Sequence, residues 1–396
     1  MLAYQLLFED LQTSCETVHS TRLQATLEVA AALQKSKSLT QASMGRKLPG
    51  NTNIKHKIKK VDRLEGNALL HNELECLYSG LSSFVFKYLT IEEHMPLIVD
   101  LCYIKDGHDI QMLSAEVALK GRTIPIYREV FGKKDLKGRA EQFLSNLSEC
   151  IPSTQNVVVI MDAAFGEEWL GVIENLGWNW LLRMRGKRQI KLKQESEWLE
   201  AGELMPLITG RAKSHNDAHI LKQYNHPCRV ITKCGNSIKK RKKPTILPRN
   251  YNSANGGYSR KKKEPMILAT NLPSSYNSTK ILNFYKKRMQ IEESFRDVKS
   301  PQYGLSARFV RTKCIYRWGV KMLLAAIVQI VAWVVGVIGH SLDYQRKFQA
   351  NTVRDKKVFS YFFLGQLIIE HDMLDELKID YEKLPEIIDK ELARKW

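Results

Sequence analysis

The spacing of apolar positions shifts along the chain, and each shift marks a different kind of element. Over residues 1–90 the period is helical. In Ser20–Gln34 the residues Leu23, Leu27, Ala30 and Leu33 share one face. Ser38–Leu48, the breaker Pro49-Gly-Asn-Thr-Asn53 and Ile54–Leu64 predict helix, turn and basic helix, the order of a helix-turn-helix. Ile54, Ile58, Val61 and Leu64 are its packing positions. Lys55, Lys57, Lys59, Lys60 and Arg63 point outward to meet phosphates or a groove, although a plain helical hairpin with a cationic face carries the same pattern. From Met95 the pattern turns to short apolar runs. Met95–Asp100, Ile110–Leu119 and Arg122–Phe131 predict strands, the last two a hairpin across Lys120-Gly121. A helix over 138–150, a buried strand Asn156–Asp162, a helix over 166–176 and a strand Trp178–Arg185 complete the order β-β-β-α-β-α-β.

Residues 187–265 break this order. They carry Lys239–Lys243 and Arg260–Lys263 among Pro, Asn and Gly, with β-prone pieces at Arg229-Val-Ile-Thr and Thr245-Ile-Leu, and predict an inserted, partly β subdomain. Met266–Asn271 returns as a strand. Tyr285–Lys299 lacks Gly and Pro and predicts one helix. Met322–Ile338 is an apolar stretch of 17 residues that includes Gln329, with Lys321 at its edge; it predicts a buried core helix rather than a membrane span. Residues 341–396 predict polar-rich helices. The expected division is 1–90 helical, 91–186 first part of an α/β core, 187–265 β-rich basic insertion, 266–340 second part of the core, and 341–396 C-terminal helices.

Charge adds a partner to this outline. Sixty-one Lys and Arg against 42 acids leave a net +19, which points to a polyanion: nucleic acid first, an anionic membrane surface second. The 7 cysteines are scattered, without a second close pair to complete a zinc site beside Cys228 and Cys234, which predicts reduced thiols in a cytoplasm. The N-terminal stretch lacks the basic region of a signal peptide.

Two core strands end in an acid, at Asp100 and Asp162. Either alone reads as a cap or turn residue. In a mixed sheet with the fourth strand beside the first, the two carboxylates come within reach of a shared metal. On the helix Tyr285–Lys299, at about 100° per residue, Tyr285, Arg288, Glu292, Arg296 and Lys299 form one stripe, while Glu293 faces away. Such a stripe is also what a solvated, salt-bridged face presents.

The spacing Tyr285-x2-Arg288-x3-Glu292-x6-Lys299 resembles the signature of bacterial transposases of the insertion-sequence-four family, as do Phe348–Arg354 and Asp62–Asn67. The resemblance implies a ribonuclease-H-like mixed sheet interrupted by a β-rich insertion, with an N-terminal helical DNA-binding domain and C-terminal helices. It implies Asp100, Asp162 and Glu292 as catalytic carboxylates holding two Mg²⁺ ions, with Mn²⁺ as substitute. Tyr285, Arg288 and Lys299 would hold phosphates, with Arg296, Arg183 and Arg185 as further candidates. It further implies cut-and-paste transposition through a hairpin, a homodimer on paired ends, and double-stranded DNA (terminal inverted repeats and target) as partner, in a bacterial cytoplasm with no membrane. Met266 stands where the resemblance leads one to expect a Trp that stacks on a flipped base; Met lacks a π-face for that contact.

Overall fold

The computed structural model describes residues 2–89, 94–104, 109–132, 138–193, 196–208, 210–234, 265–302, 304–353, 358–377 and 383–393. The basic clusters Lys239–Lys243 and Arg260–Lys263, the β-prone piece at Thr245 and the signature residue Arg354 lie outside the described residues. In chain order the elements are α1 (Leu2–Ser14), α2 (Ser20–Ser36), α3 (Gln41–Lys47), α4 (Ile54–Glu65), α5 (Ala68–Asn72), α6 (Leu74–Tyr88), β1 (Met95–Tyr103), β2 (Ile110–Ala118), β3 (Thr123–Gly132), α7 (Ala140–Ser148), β4 (Val157–Met161), α8 (Glu167–Asn175) and β5 (Asn179–Arg183). They continue with β6 (Gln189–Lys191), β7 (Leu199–Glu200), α9 (Ala201–Leu204), β8 (Lys213–Ile220), β9 (His226–Lys233), β10 (Met266–Thr270), α10 (Ser278–Lys286), α11 (Met289–Lys299), α12 (Ile315–Ser341), α13 (Tyr361–Glu370) and α14 (Leu384–Ala393). The chain divides into two compact units, Met1–Ile160 with Glu168–Trp178 and Lys286–Trp396, and Met161–Glu167 with Asn179–Tyr285.

In the first unit the strands run β3-β2-β1-β4. β2 is antiparallel to both neighbours. β4 joins β1 in parallel, from Met95↔Val157 to Ile98↔Ile160, as expected of the first and fourth strands. A parallel join needs a long crossover, and α7 supplies it. β2 and β4 are buried along their whole length; β4 reads as a continuous apolar run, while β2 buries Gln111, Ser114 and Glu116 among its apolar residues.

α12 is buried almost all round, as the apolar run predicts, but it is longer, 27 residues. By length and composition it could cross a membrane, yet its most apolar window lies wholly inside the fold. Its contact with α13 is backbone to backbone. A Cβ at Gly336 would sit 1.7 Å from Tyr361 O, and one at Gly365 1.8 Å from Ala332 O. α13 corrects the expectation of polar-rich C-terminal helices: Tyr361, Phe362, Leu364, Ile368 and Ile369 are buried.

The N-terminal helices bear out the predicted order, and Leu23, Leu27, Ala30 and Leu33 are buried as expected. α3 and α4 cross so closely that a Cβ at Gly45 would meet Ile58 Cα at 2.6 Å. Val61 and Leu64 are buried, but Ile54 is 53% exposed, against expectation. It is the first residue of α4, directly after the Asn53 cap, so its turn projects beyond the packed face. Lys321 enters this region from α12, donating to Leu39 O at 2.8 Å and pairing with buried Glu65. Arg317 holds Asp62 at 2.7 Å.

In the second unit the strands run β5-β10-β9-β8-β6-β7, every pair antiparallel. β6 to β9 fall between β5 and β10 in the chain, inside the stretch predicted as a partly β insertion. Buried Arg229 ties β9 to the turn after β10, donating to Pro273 O at 2.8 Å and Tyr276 O at 2.9 Å.

Candidate active site

Tyr285–Lys299 is not one helix. α10 ends at Lys286, and Lys287 and Arg288 form a turn before α11 begins. Gln290 N–H donates to Lys287 O at 2.9 Å and Ile291 N–H to Arg288 O at 3.2 Å, a tighter turn than an α-helix makes. No Gly or Pro marks this break, so propensity alone had no signal for it. Tyr285 therefore ends one helix, while Glu292, Arg296 and Lys299 belong to the next.

In the first unit Arg288, just before α11, and Glu292 and Lys299 on α11 come together with β1. Arg288 Nη1 donates to Asp100 Oδ2 at 2.8 Å, and its Nη2 donates to Glu292 Oε1 at 2.9 Å. One guanidinium thus bridges the two carboxylates. The Arg288 and Asp100 side chains are 12% and 15% exposed, and that of Glu292 is 45% exposed. Asp100 Oδ1 also accepts Leu101 N–H at 2.9 Å. Lys299, the last residue of α11, donates to Tyr103 O at the end of β1 at 2.9 Å. Arg296 pairs with Glu293 at 2.6 Å rather than standing apart as an open cation. Glu293 also faces Arg122 at 3.7 Å, so the acid that faces away on the helix has a structural task. Beside these residues a cleft of about 400 Å³ is lined by Glu292, Phe295, Arg296, Lys299, Ser300, Pro301 and Arg308.

What aims α11 was not visible as a motif. Ser294, two residues after Glu292 and on the opposite side of α11, lies between a buried charge pair and the apolar helix. Arg128 Nη2 reaches Ser294 Oγ at 3.4 Å and Glu116 Oε1 at 2.7 Å, and its Nε donates to Ser114 at 3.1 Å. Gln329 of α12 donates to Ser294 Oγ at 3.1 Å. Both side chains of the Arg128–Glu116 pair are fully buried. The signals in the sequence were a glutamine inside an apolar run and two charges inside apolar strands; such groups are held by partners. Asp297, also on α11, is 3.2 Å from Arg122, and burial pushes its carboxyl up to about 7 against the lowering effect of that arginine.

In the second unit, Asp162 follows β4 directly, and Tyr285 Oη donates to its Oδ1 at 3.4 Å. Tyr285 is almost fully buried. The loop after Asp162 is closed by Phe165 N–H donating to Asp162 O at 3.2 Å. Arg188 clamps the same loop from outside. Its Nε and Nη2 donate to Ala163 O at 2.9 and 2.6 Å, and Nη2 also reaches Phe165 O. Burial lowers the pKa of this guanidinium and the charge of Asp162 raises it. Arg188 was missed because no spacing links it to Asp162. Arg183 ends β5 opposite Leu268 of β10, and Arg185 lies just past it, exposed. Met266 opens β10, half-buried and opposite Lys233. The β1–β4 ladder ends at Ile98↔Ile160, and each aspartate lies two residues farther along the chain.

Among the described residues, no group of three or more His, Cys, Asp or Glu side chains stands close enough to hold a metal ion. The carboxylates of Asp100 and Glu292 are both turned onto Arg288.

The model of the transposase DDE domain matches residues 114–315, just over half of the chain. The chain belongs to the DDE transposase family. The matched span includes Asp162 and Glu292 and begins after Asp100. No curated protein matches the sequence. Membership makes this protein a transposase, acting on DNA in transposition and recombination, in a family that generally uses divalent metal ions. The mixed α/β architecture is compatible with the ribonuclease-H-like fold of DDE transposases. Of the residues read as DNA contacts on α4, Lys55, Lys59, Lys60 and Arg63 are exposed or half-buried. Lys60 is paired with Glu28 at 2.6 Å, and Lys57 is turned back onto Gly50 O at 2.6 Å.

Proposed function

We infer that this transposase carries out cut-and-paste transposition of an insertion sequence, with Asp100, Asp162 and Glu292 as its catalytic carboxylates. The reading places it in the insertion-sequence-four family, similar in wording to the transposase of insertion sequence ten. The observation that carries it is the Arg288 bridge between Asp100 and Glu292: a strand acid and a helix acid share one cation at the edge of an open cleft. A structural ion pair needs one acid. Two carboxylates gathered on one guanidinium form a concentration of hard oxygen donors, the donor set that Mg²⁺ and Mn²⁺ take. Asp162, whose loop Arg188 holds, would supply the third donor. Divalent ions bound there supply charge stabilisation for the attacking and leaving oxygens of an in-line phosphoryl transfer.

The chain's own groups do the rest. Arg288 exchanges carboxylates for a phosphate, for which its planar fork is equally suited. Lys299 adds a point charge at the end of α11, and the Tyr285 hydroxyl orients Asp162 or a phosphate oxygen. Water hydrolyses one strand at each end; the freed 3′-hydroxyl attacks a phosphate of the opposite strand and displaces the 3′-oxygen of the flanking DNA, closing a hairpin; water reopens it, and the 3′-hydroxyl then attacks a target phosphate, displacing a target 3′-oxygen. Two protomers pair two inverted repeats, working at the nucleoid of a bacterial cytoplasm. With Met266 in place of an aromatic, hairpin closure lacks one stacking contact, worth about 1–3 kcal/mol.

The test is Mg²⁺-dependent cleavage of a duplex bearing the element's end. D162A and E292A are each expected to reduce cleavage by about a thousandfold or more while leaving DNA binding intact. Cleavage that survives the double variant would sink the assignment. One observation favours a second reading, an end-binding repressor: Asp100 and Glu292 are already neutralised by Arg288. That reading expects the wild type to bind ends without cutting them in Mg²⁺ or Mn²⁺.

A further inference from the structure

Between α11 and α12 the chain runs as a strap from Ser306 to Lys313, and its backbone is fixed from both sides. Leu39 N–H donates to Leu305 O at 2.9 Å, Ser306 Oγ donates to Lys37 O at 3.0 Å, and Trp318 Nε1 donates to Thr312 O at 3.0 Å. Leu305 N–H is held by Asp297 O at 2.8 Å. Ser306 takes the left-handed region, φ 56°, to make this turn. On that rigid base Arg308, Phe309, Arg311 and Lys313 all face outward, and Phe309 is 61% exposed. Arg296 before the strap and Arg317 after it are in ion pairs; among the described residues Arg308, Arg311 and Lys313 are in none.

The strap is also the shared wall of two clefts. Arg308 lines the cleft of about 400 Å³ that holds Glu292 and Lys299. Phe309, Arg311 and Thr312 line a second cleft of about 300 Å³, together with Thr40 and Gln41 at the start of α3 and the buried pair Glu65 and Lys321. Exposed cations and a phenyl ring thus lie between the cleft at Glu292 and the cleft at the start of α3. A solvated loop needs neither fixed backbone nor an exposed phenyl ring. Unpaired cations on a preorganised strip, with an aromatic face between them, are what a nucleic-acid strand requires.

We propose that the strap 306–313 is a DNA track, on which Arg308, Arg311 and Lys313 take successive backbone phosphates and Phe309 packs on a base. It rests on the transposase reading and adds to it a contact surface that the four-residue signature does not include. The track binds without regard to sequence, because each contact is to a phosphate or to a π-face.

The test measures binding of the full-length protein to a mixed-sequence duplex, and to a single strand of equal length, by fluorescence anisotropy across a salt series. The triple variant R308A/R311A/K313A is expected to flatten the slope of log K against log salt by about 2 to 3 for the duplex, near 0.9 for each phosphate that is no longer neutralised. R308K/R311K keeps the charge and is expected to keep the slope, which separates removal of charge from damage to the fold. F309A is expected to weaken single-strand binding by about fivefold or more with the slope unchanged. An unchanged slope in the triple variant overturns the track while leaving the transposase reading standing. A wild type that binds neither DNA overturns both.

Discussion

Glu292 and Asp162 are positioned by opposite means. α11 is aimed by side chains: Ser294 is gripped between Arg128 and Gln329, and Arg128 is anchored on buried Glu116. The Asp162 loop is aimed through its backbone, with Arg188 holding the carbonyls of Ala163 and Phe165. The first arrangement is a buried polar network inside the core, so its failure is a failure of folding. The second lies at a half-buried loop, where a clamp fixes geometry and contributes little to global stability. A carboxylate on a helix can borrow the rigidity of the core behind it. One on a loop needs a dedicated cation, and that cation carries no recognisable spacing.

The comparison breaks most sharply at Arg128. R128M leaves Glu116 charged and buried with only hydroxyl partners, Ser114 and Thr123. It is expected to cost about 3–5 kcal/mol in urea denaturation. A loss below about 1 kcal/mol would show that the network does not hold α11.

R188A tests the other side. Its expected cost in the same denaturation is about 2 kcal/mol or less, because Arg188 and its partner Ala163 are only half-buried. Cleavage is nonetheless expected to fall by about ten- to a hundredfold, since a misplaced carboxylate affects rate more than stability. R188K, which keeps one donor group, should recover part of it. Equal losses of stability and rate for R128M and R188A would erase the distinction.

The smallest effect concerns pH. Burial raises Asp297 to about 7 in the folded chain from its ordinary value of 3.8. The folded state then holds a proton that the unfolded chain has released. Stability from this group is present below the unfolded value and is lost as pH rises towards 7. D297N is therefore expected to be more strongly stabilised relative to wild type at pH 8 than at pH 4, read from paired denaturation curves. A difference that does not change with pH would mean that the Arg122 contact keeps Asp297 ionised throughout.

The strand order, the buried helix at 322–338, the helix-turn-helix elements and the placing of Glu292 beside Arg288 were all legible beforehand. Each rests on local periodicity or on residues a few positions apart. The break after Lys286 was not legible, because the segment holds good helix formers and nothing local interrupts it. Ile54 was misplaced because periodicity reports a face but not where the packed partner ends. Arg188 and the Arg128–Ser294–Gln329 network were missed because their members come from elements far apart in the chain.

By itself the sequence determined most of the helical and strand segments, a basic character suited to DNA, and a set of acids and cations whose spacing resembles a transposase signature. Those follow from side-chain period, net charge and spacing, all properties of the extended chain. The tertiary structure decided which cation meets which acid, that Arg296 serves Glu293 and Arg288 serves two carboxylates, and that the cations of the strap 306–313 are in no ion pair among the described residues. Pairing depends on distance through space, and distance exists only once the chain has packed.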